Sequence, residues 1–254
     1  MASAPSISLI VITRDEEDLI GQCLKSAASF CNEMIVVDSF SADHTVEIAE
    51  RLGARVIRHE FTDYVRQKQI ALDHAQGEWV LLLDADEQAT YALGREIEQT
   101  LASTQAADGY RIQRVLYHLG YYYTRPIYRD RPVRLFRRAR GHIGGVDPHD
   151  KVVVDGRIAR LRAPILHFSY RDVSDHVATM NRFSTRAAAE IEPDSLAAWK
   201  MLGHPLWRFF NFYILRGGFL DGGRGLYAAM SAAFYVFLKY AKVYERGIKT
   251  LHQR

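Results

Sequence analysis

Through the first hundred residues, short apolar runs alternate with amphipathic stretches, the pattern of a parallel sheet covered by helices. Residues 6–13 read as a buried strand, and Leu19, Ile20, Cys23, Leu24 and Ala27 then recur with a helical period. A second strand is expected over 34–38, followed by a helix over 45–52 that stops at Gly53, in the usual C-terminal glycine position. Residues 54–60 predict a third strand, 64–75 a helix closed by Gly77, and 79–84 an unbroken apolar strand that ends in carboxylates. Ligands gather at the carboxyl ends of strands in open α/β sheets, so the segments after Thr13, Asp38 and Leu83 are expected to converge on one crevice.

After about Gly109 this regularity gives way to strand-like pieces rich in tyrosine, arginine and glycine, up to Gly156. Residues 170–191 predict a helix, and 204–249 mix aromatic and aliphatic residues with spaced basic ones. The division expected is 1–108 and 109–170 as two halves of one domain, and 171–254 as a helical C-terminal region. A chain of 254 residues that is 48% hydrophobic suits one large domain, or one domain plus an appendage, with a full core. No apolar run reaches the ~18 residues of a membrane span. The early run 7–12 leads straight into Arg14-Asp15-Glu16-Glu17, unlike a signal peptide, so the expected location is cytoplasmic. Cys23 and Cys31 lie eight residues apart in a helical pattern, about 12 Å along the axis, too far to bridge.

Net charge is only +3, so any electrostatic message lies in distribution. Between Tyr110 and Arg140 stand nine arginines and one acid, Asp130. From His204 onward there are eight basic residues and two acids. These two regions are the ones suited to anions, and the arginines of the first also suit pairing with the acidic first half.

The sharpest chemical signal is Asp84-Ala85-Asp86-Glu87, three carboxylates in four positions at the mouth of a strand. Such crowding is unfavourable unless a cation sits among the charges, and hard oxygen ligands suit Mg²⁺ or Mn²⁺ with phosphates as further donors. An acidic first turn of the next helix is the plainer alternative. In the turn 38–45, Asp38 suits a hydrogen bond from a base imide or ribose, whereas Asp43 and Thr45 suit helix capping. Asp15 suits either the same ligand or an acidic helix start. Arg66 and Lys68 suit a diphosphate or a solvated helix face. His142, His149 and His167 lack zinc-motif spacing and are expected to be structural with respect to zinc.

Thr13-Arg14-Asp15-Glu16-Glu17, Val36-Val37-Asp38-Ser39 through Thr45, and Asp84-Ala85-Asp86 together resemble the motifs of the inverting family 2 glycosyltransferases, over residues 6 to about 170. Asp15 stands where that family usually has Asn. The resemblance implies a GT-A (Rossmann-like) fold, a mostly parallel sheet flanked by helices, here with a C-terminal helical appendage. It implies that Thr13, Asp15 and Asp38 hold the nucleotide, that Arg66 and Lys68 lie near the donor, and that Asp86, with Asp84 beside it, holds Mg²⁺ or Mn²⁺ on the diphosphate. Gly144 to Asp150 resembles the family's G-x-V-H-E segment, which makes Asp150 the candidate base, with His149 orienting it or meeting diphosphate. Asp147 is the competing base, and a plain turn is the non-catalytic alternative.

His167 to Asp172, Met180 to Phe183 and Phe219 to Gly223 resemble the branch that adds a hexose, typically glucose, to the heptose of the lipopolysaccharide inner core. That branch implies a nucleotide-sugar donor, UDP-glucose first, and a lipid-linked saccharide acceptor, with nucleic acid not among the partners. The tail suits peripheral contact with the cytoplasmic face of the inner membrane, where Arg208, Arg216, Arg224, Lys239, Lys242 and Arg246 would meet lipid phosphates. It equally suits a packed subdomain or a homo-oligomer contact. The rival functions are a sugar nucleotidyltransferase, which would want a Gly-rich loop after the first strand, and a non-catalytic scaffold with the same fold.

Overall fold

The structure is a computed structural model that describes residues 5–125, 128, 130–146, 149–194 and 196–252. Its described residues divide into two compact units. One draws on 1–117, 122–124 and 128–168, the other on 118–121, 125–127 and 169–254.

The first unit begins with β1 (Ile7–Thr13), α1 (Ile20–Ala27), β2 (Glu33–Asp38), α2 (Thr45–Arg51), β3 (Arg55–Arg58), α3 (Tyr64–His74) and β4 (Trp79–Asp84). β5 (Glu87–Ala89), α4 (Tyr91–Leu101), β6 (Gly109–Arg111), β7 (Arg114–His118), β8 (Tyr121–Tyr123) and β9 (Val133–Arg137) follow. β10 (Gly141–Val146), β11 (His149–Val154), β12 (Ile158–Arg160) and β13 (Ile165–His167) complete it. The central sheet has seven strands in the order β12-β6-β9-β4-β1-β2-β3, with β9 antiparallel to both its neighbours and the other pairings parallel.

β1 is buried along its whole length, and β4 up to Asp84, because helices cover both faces of the sheet. This explains why these strands read as continuous apolar runs rather than alternating ones. One core layer joins Leu9, Val11, Leu81 and Leu83 to α1 and α4, and the other joins Ile10, Ile35, Val80 and Leu82 to α3. The register sets Thr13 opposite Asp38 and Ile12 opposite Asp84, so three strand ends meet at one edge, as the apolar pattern predicts.

Gly77 has a different role from the helix stop expected of it. α3 ends at an extended Ala75, while a Cβ on Gly77 would come within 2.8 Å of the Ser8 amide nitrogen. The glycine is there to let two backbones approach. Gly53 does terminate its helix with a left-handed φ of 84°. Cys23 and Cys31 are free thiols.

The second unit contains α5 (Val173–Ala189), α6 (Ala197–Phe210), a π-helical stretch over Asn211–Leu215 and α7 (Gly222–His252). α5 starts where Asp172 accepts from the Asp175 amide, later than the expected residue 170. No helix among the described residues is long and apolar enough to cross a membrane.

Candidate active site

The turns after β1 and β2 are clasped together. The Asp15 amide donates to Ser41 Oγ at 2.8 Å, and Asp15 Oδ1 accepts from the Ala42 amide at 2.8 Å. The Glu16 amide donates to Thr45 Oγ1, and the Glu17 amide to Asp43. Asp43 also accepts from the Thr45 amide, so it serves its own turn, while the N-cap position of α2 is held by His44 and not by Asp43. Asp15 is not a helix start, since α1 begins five residues later; it ties one turn to the other. Asp15 and Phe40 both have left-handed backbones, at φ of 55° and 58°. Unfavourable conformations of this kind cluster at ligand sites.

Asp38 is fully buried, and its carboxylate accepts from both the amide and the hydroxyl of Ser41. Thr13 is buried beside it, and its hydroxyl has no hydrogen-bond partner among the described residues. Gln67, from α3, is buried as well and donates to Ser39 Oγ at 2.8 Å and to the His59 carbonyl at 3.1 Å, which anchors the helix to the strand ends. Arg66 lies in the first turn of α3, where Asp63 caps the helix by accepting from the Arg66 amide.

The carboxylates after β4 are neutralised largely by the protein's own cations. Asp84 Oδ1 lies 3.0 Å from Lys68 Nζ, and its Oδ2 lies 2.6 Å from Arg134. Glu87 has no exposed side chain. It pairs with Arg134 at 2.7 Å and Arg114 at 3.2 Å, and accepts from the Asp84 amide at 2.9 Å. The crowding that the sequence attributes to a metal is therefore met at Asp84 and Glu87 by Lys68, Arg114 and Arg134. Burial opposes ionisation of Asp84, yet Arg134 and Lys68 hold its carboxyl well below the usual range. Burial likewise pulls the Lys68 ammonium down, and Asp84 and Asp150 more than restore it.

Asp86 has a different surrounding. Its Oδ2 stands 3.1 Å from Nε2 of His167, at the end of β13, while the Asp86 carbonyl accepts from the Phe168 amide. Burial disfavours the His167 imidazolium, but the Asp86 carboxylate more than compensates. Among the described residues no three His, Cys, Asp or Glu side chains gather as metal ligands. A carboxylate beside an imidazole nonetheless fits an ion that keeps several waters and shares a ligand's phosphates. Asp84 is already ion-paired through both oxygens, Oδ1 with Lys68 and Oδ2 with Arg134.

Asp150, on β11, lies 2.8 Å from Lys68 Nζ, so one ammonium joins the candidate base to the D-x-D strand. β11 pairs with β10, and the Ile143 amide of β10 donates to Gln69 of α3, which keeps the hairpin against that helix. The rival base, Asp147, and the His149 side chain lie outside the described residues. The sequence gives no local sign of the roles of Arg114, Arg134 and His167, because each reaches its partner across a long stretch of chain.

Residues 8–146 match the model of "Glycosyl transferase family 2". The chain is 30% identical, over 94% of its length and 92% of the relative's, to the lipopolysaccharide core biosynthesis glycosyltransferase LpsC of Rhizobium meliloti. It is also 30% identical to an uncharacterized glycosyltransferase of Rickettsia felis, over 96% of this chain and 91% of that one. Among solved structures it resembles S. aureus TarS 1–349 in complex with UDP-GlcNAc, at a TM-score of 0.52 and 16% identity, covering 96% of this chain and 92% of that one. The protein belongs to glycosyl transferase family 2 and has the GT-A fold. It is a glycosyltransferase, which sets aside the nucleotidyltransferase and scaffold alternatives.

Proposed function

We propose that the enzyme moves a hexose from a nucleotide-sugar, UDP-glucose being the first donor to test, to the heptose of a lipopolysaccharide inner core, with inversion at the anomeric carbon. The observation that carries this reading is the meeting of Asp84, Lys68 and Asp150 at the carboxyl edge of the sheet, two positions before Asp86. The likeness to LpsC supports the acceptor, and the nucleotide-sugar in the TarS complex supports the donor class.

In this reading, the clasped turns after β1 and β2 receive base and ribose through Thr13, Asp15 and Asp38, with the unpartnered Thr13 hydroxyl ready for a ligand group. Arg66 meets the diphosphate. A bound Mg²⁺ or Mn²⁺ would neutralise charge on the departing diphosphate. Asp86 would hold it, with His167 beside and Asp84 behind. Asp150 accepts the proton of the attacking hydroxyl, and Lys68 fixes that carboxylate in place. A lipid-linked acceptor brings the enzyme to the cytoplasmic face of the inner membrane, with the C-terminal region as the contact.

The test is incubation with UDP-glucose and a delipidated, heptose-containing core oligosaccharide, followed by NMR of the product. Metal-dependent transfer with the anomeric configuration opposite to the donor's is expected. Absence of transfer from UDP-glucose and from other UDP-hexoses would overturn the reading.

A further inference from the structure

The helices of the second unit leave an apolar face open. On α6, Trp199, Leu202, Leu206, Trp207 and Phe210 are exposed and recur at helical spacing, so they line one side. Trp199 is 74% exposed and Trp207 61%, although large aromatic side chains ordinarily bury most of their surface. The exposed row continues through Ile214, Leu215, Phe219 and Leu220. An apolar surface of this extent, bordered by polar groups, marks an interaction site.

The charges beside it select the partner. Residues 197–244 contain six Lys and Arg and a single acid, Asp221. The Asp221 side chain is 2% exposed and is ion-paired with Arg125 at 2.5 Å. Arg208, Arg216 and Arg224 are exposed, so the polar margin of this apolar surface is basic, and among the described residues of 197–244 the one carboxylate, Asp221, is ion-paired. Two copies meeting through it would set like charges together. An anionic lipid surface complements it instead, with indole and aliphatic groups immersed and guanidinium groups at phosphates.

We infer that α6 and the segment after it dock this unit onto an anionic membrane surface, lying in the headgroup plane without crossing. The surface differs from the one the sequence suggests. Lys242 is turned toward α5, donating to Asn181, Ser184 and Thr185, and Arg246 donates to the carbonyls of Ala189 and Ile191. Those two cations hold α7 to its neighbours, so the basic part of the lipid contact falls to Arg208, Arg216 and Arg224, while α7 adds the exposed Leu226, Met230, Phe234 and Phe237. The inference deepens the reading of a lipid-linked acceptor and rests on it for its biological purpose, while its test reads binding alone.

The full chain is mixed with vesicles of phosphatidylcholine carrying brominated acyl chains, with and without phosphatidylglycerol. Of the three tryptophans, Trp79 is buried in the sheet core, so quenching by bromine reports on Trp199 and Trp207. Quenching is expected with the anionic vesicles, falling as salt is raised. Co-sedimentation with the same anionic vesicles, which needs no tryptophan reporter, weakens at least about tenfold in Trp199→Ser/Trp207→Ser and in Arg208→Glu/Arg216→Glu. Both variants keep transfer to the delipidated acceptor. No quenching, or a dimer in sedimentation that the tryptophan substitutions dissolve, would overturn the inference. Vesicle binding without transfer would overturn the functional reading and leave this one standing.

Discussion

Lys68 Nζ lies 2.8 Å from the carboxylate of Asp150, which joins α3 to β11 across 82 positions of sequence. The same nitrogen lies 3.0 Å from Asp84. One buried ammonium thus links the strand end proposed to face the donor's diphosphate to the carboxylate proposed to deprotonate the acceptor. Any shift of the one is felt by the other through this shared charge.

Replacing Lys68 by Met should therefore cost stability as well as turnover. Removing one partner from a buried ion pair strands the other charge, at about 3 kcal/mol. Urea unfolding should show a lower midpoint, and a variant as stable as the parent would mean that Arg134 and water alone satisfy both carboxylates.

Asp150→Asn should lower kcat by about 10² to 10⁴, as loss of a general base does, with donor affinity by calorimetry unchanged. Near-normal turnover would move the role to Asp147.

A pH dependence should arise in the second unit. His176 Nδ1 lies 2.7 Å from the Tyr227 hydroxyl, and its ring stacks on Tyr170. Burial, then the neighbouring His118, lower its pKa from 6.5 to about 4. The unfolded chain takes up this proton first as pH falls. The associated stability is intact above 6.5 and is lost progressively toward about 4. Thermal melts should show Tm falling over that window, with a shallower fall in His176→Gln. Equal slopes in the two proteins would contradict the assignment.

Gly77→Ala should destabilise the sheet by roughly 1 to 3 kcal/mol, because the added methyl meets the backbone of Ser8. A Tm unchanged from the parent would show that β1 and the β4 approach can separate at no cost.

The sheet's central strands were legible because a buried parallel strand must be apolar throughout, and 79–84 matches β4 residue for residue. β9 was not, since it carries Arg134 and Arg137 in a strand of the central sheet, and their charges make sense only beside Asp84, Glu87 and Glu78. The same distance effect hid part of the site. The carboxylates of 84–87 signal cations, but spacing alone cannot tell a metal from Lys68 and Arg134. His167 matches no local ligand motif because its partner Asp86 lies 81 residues away.

The central claim is that a divalent ion at Asp86 couples nucleotide binding to this edge of the sheet. Calorimetric titration of UDP into the parent protein and into Asp86→Ala, each with and without Mn²⁺, tests it most directly. The account predicts that Mn²⁺ tightens UDP binding to the parent by at least about tenfold, which is 1.4 kcal/mol, and that the variant loses this gain while remaining folded. An equal effect of Mn²⁺ on both proteins would contradict it.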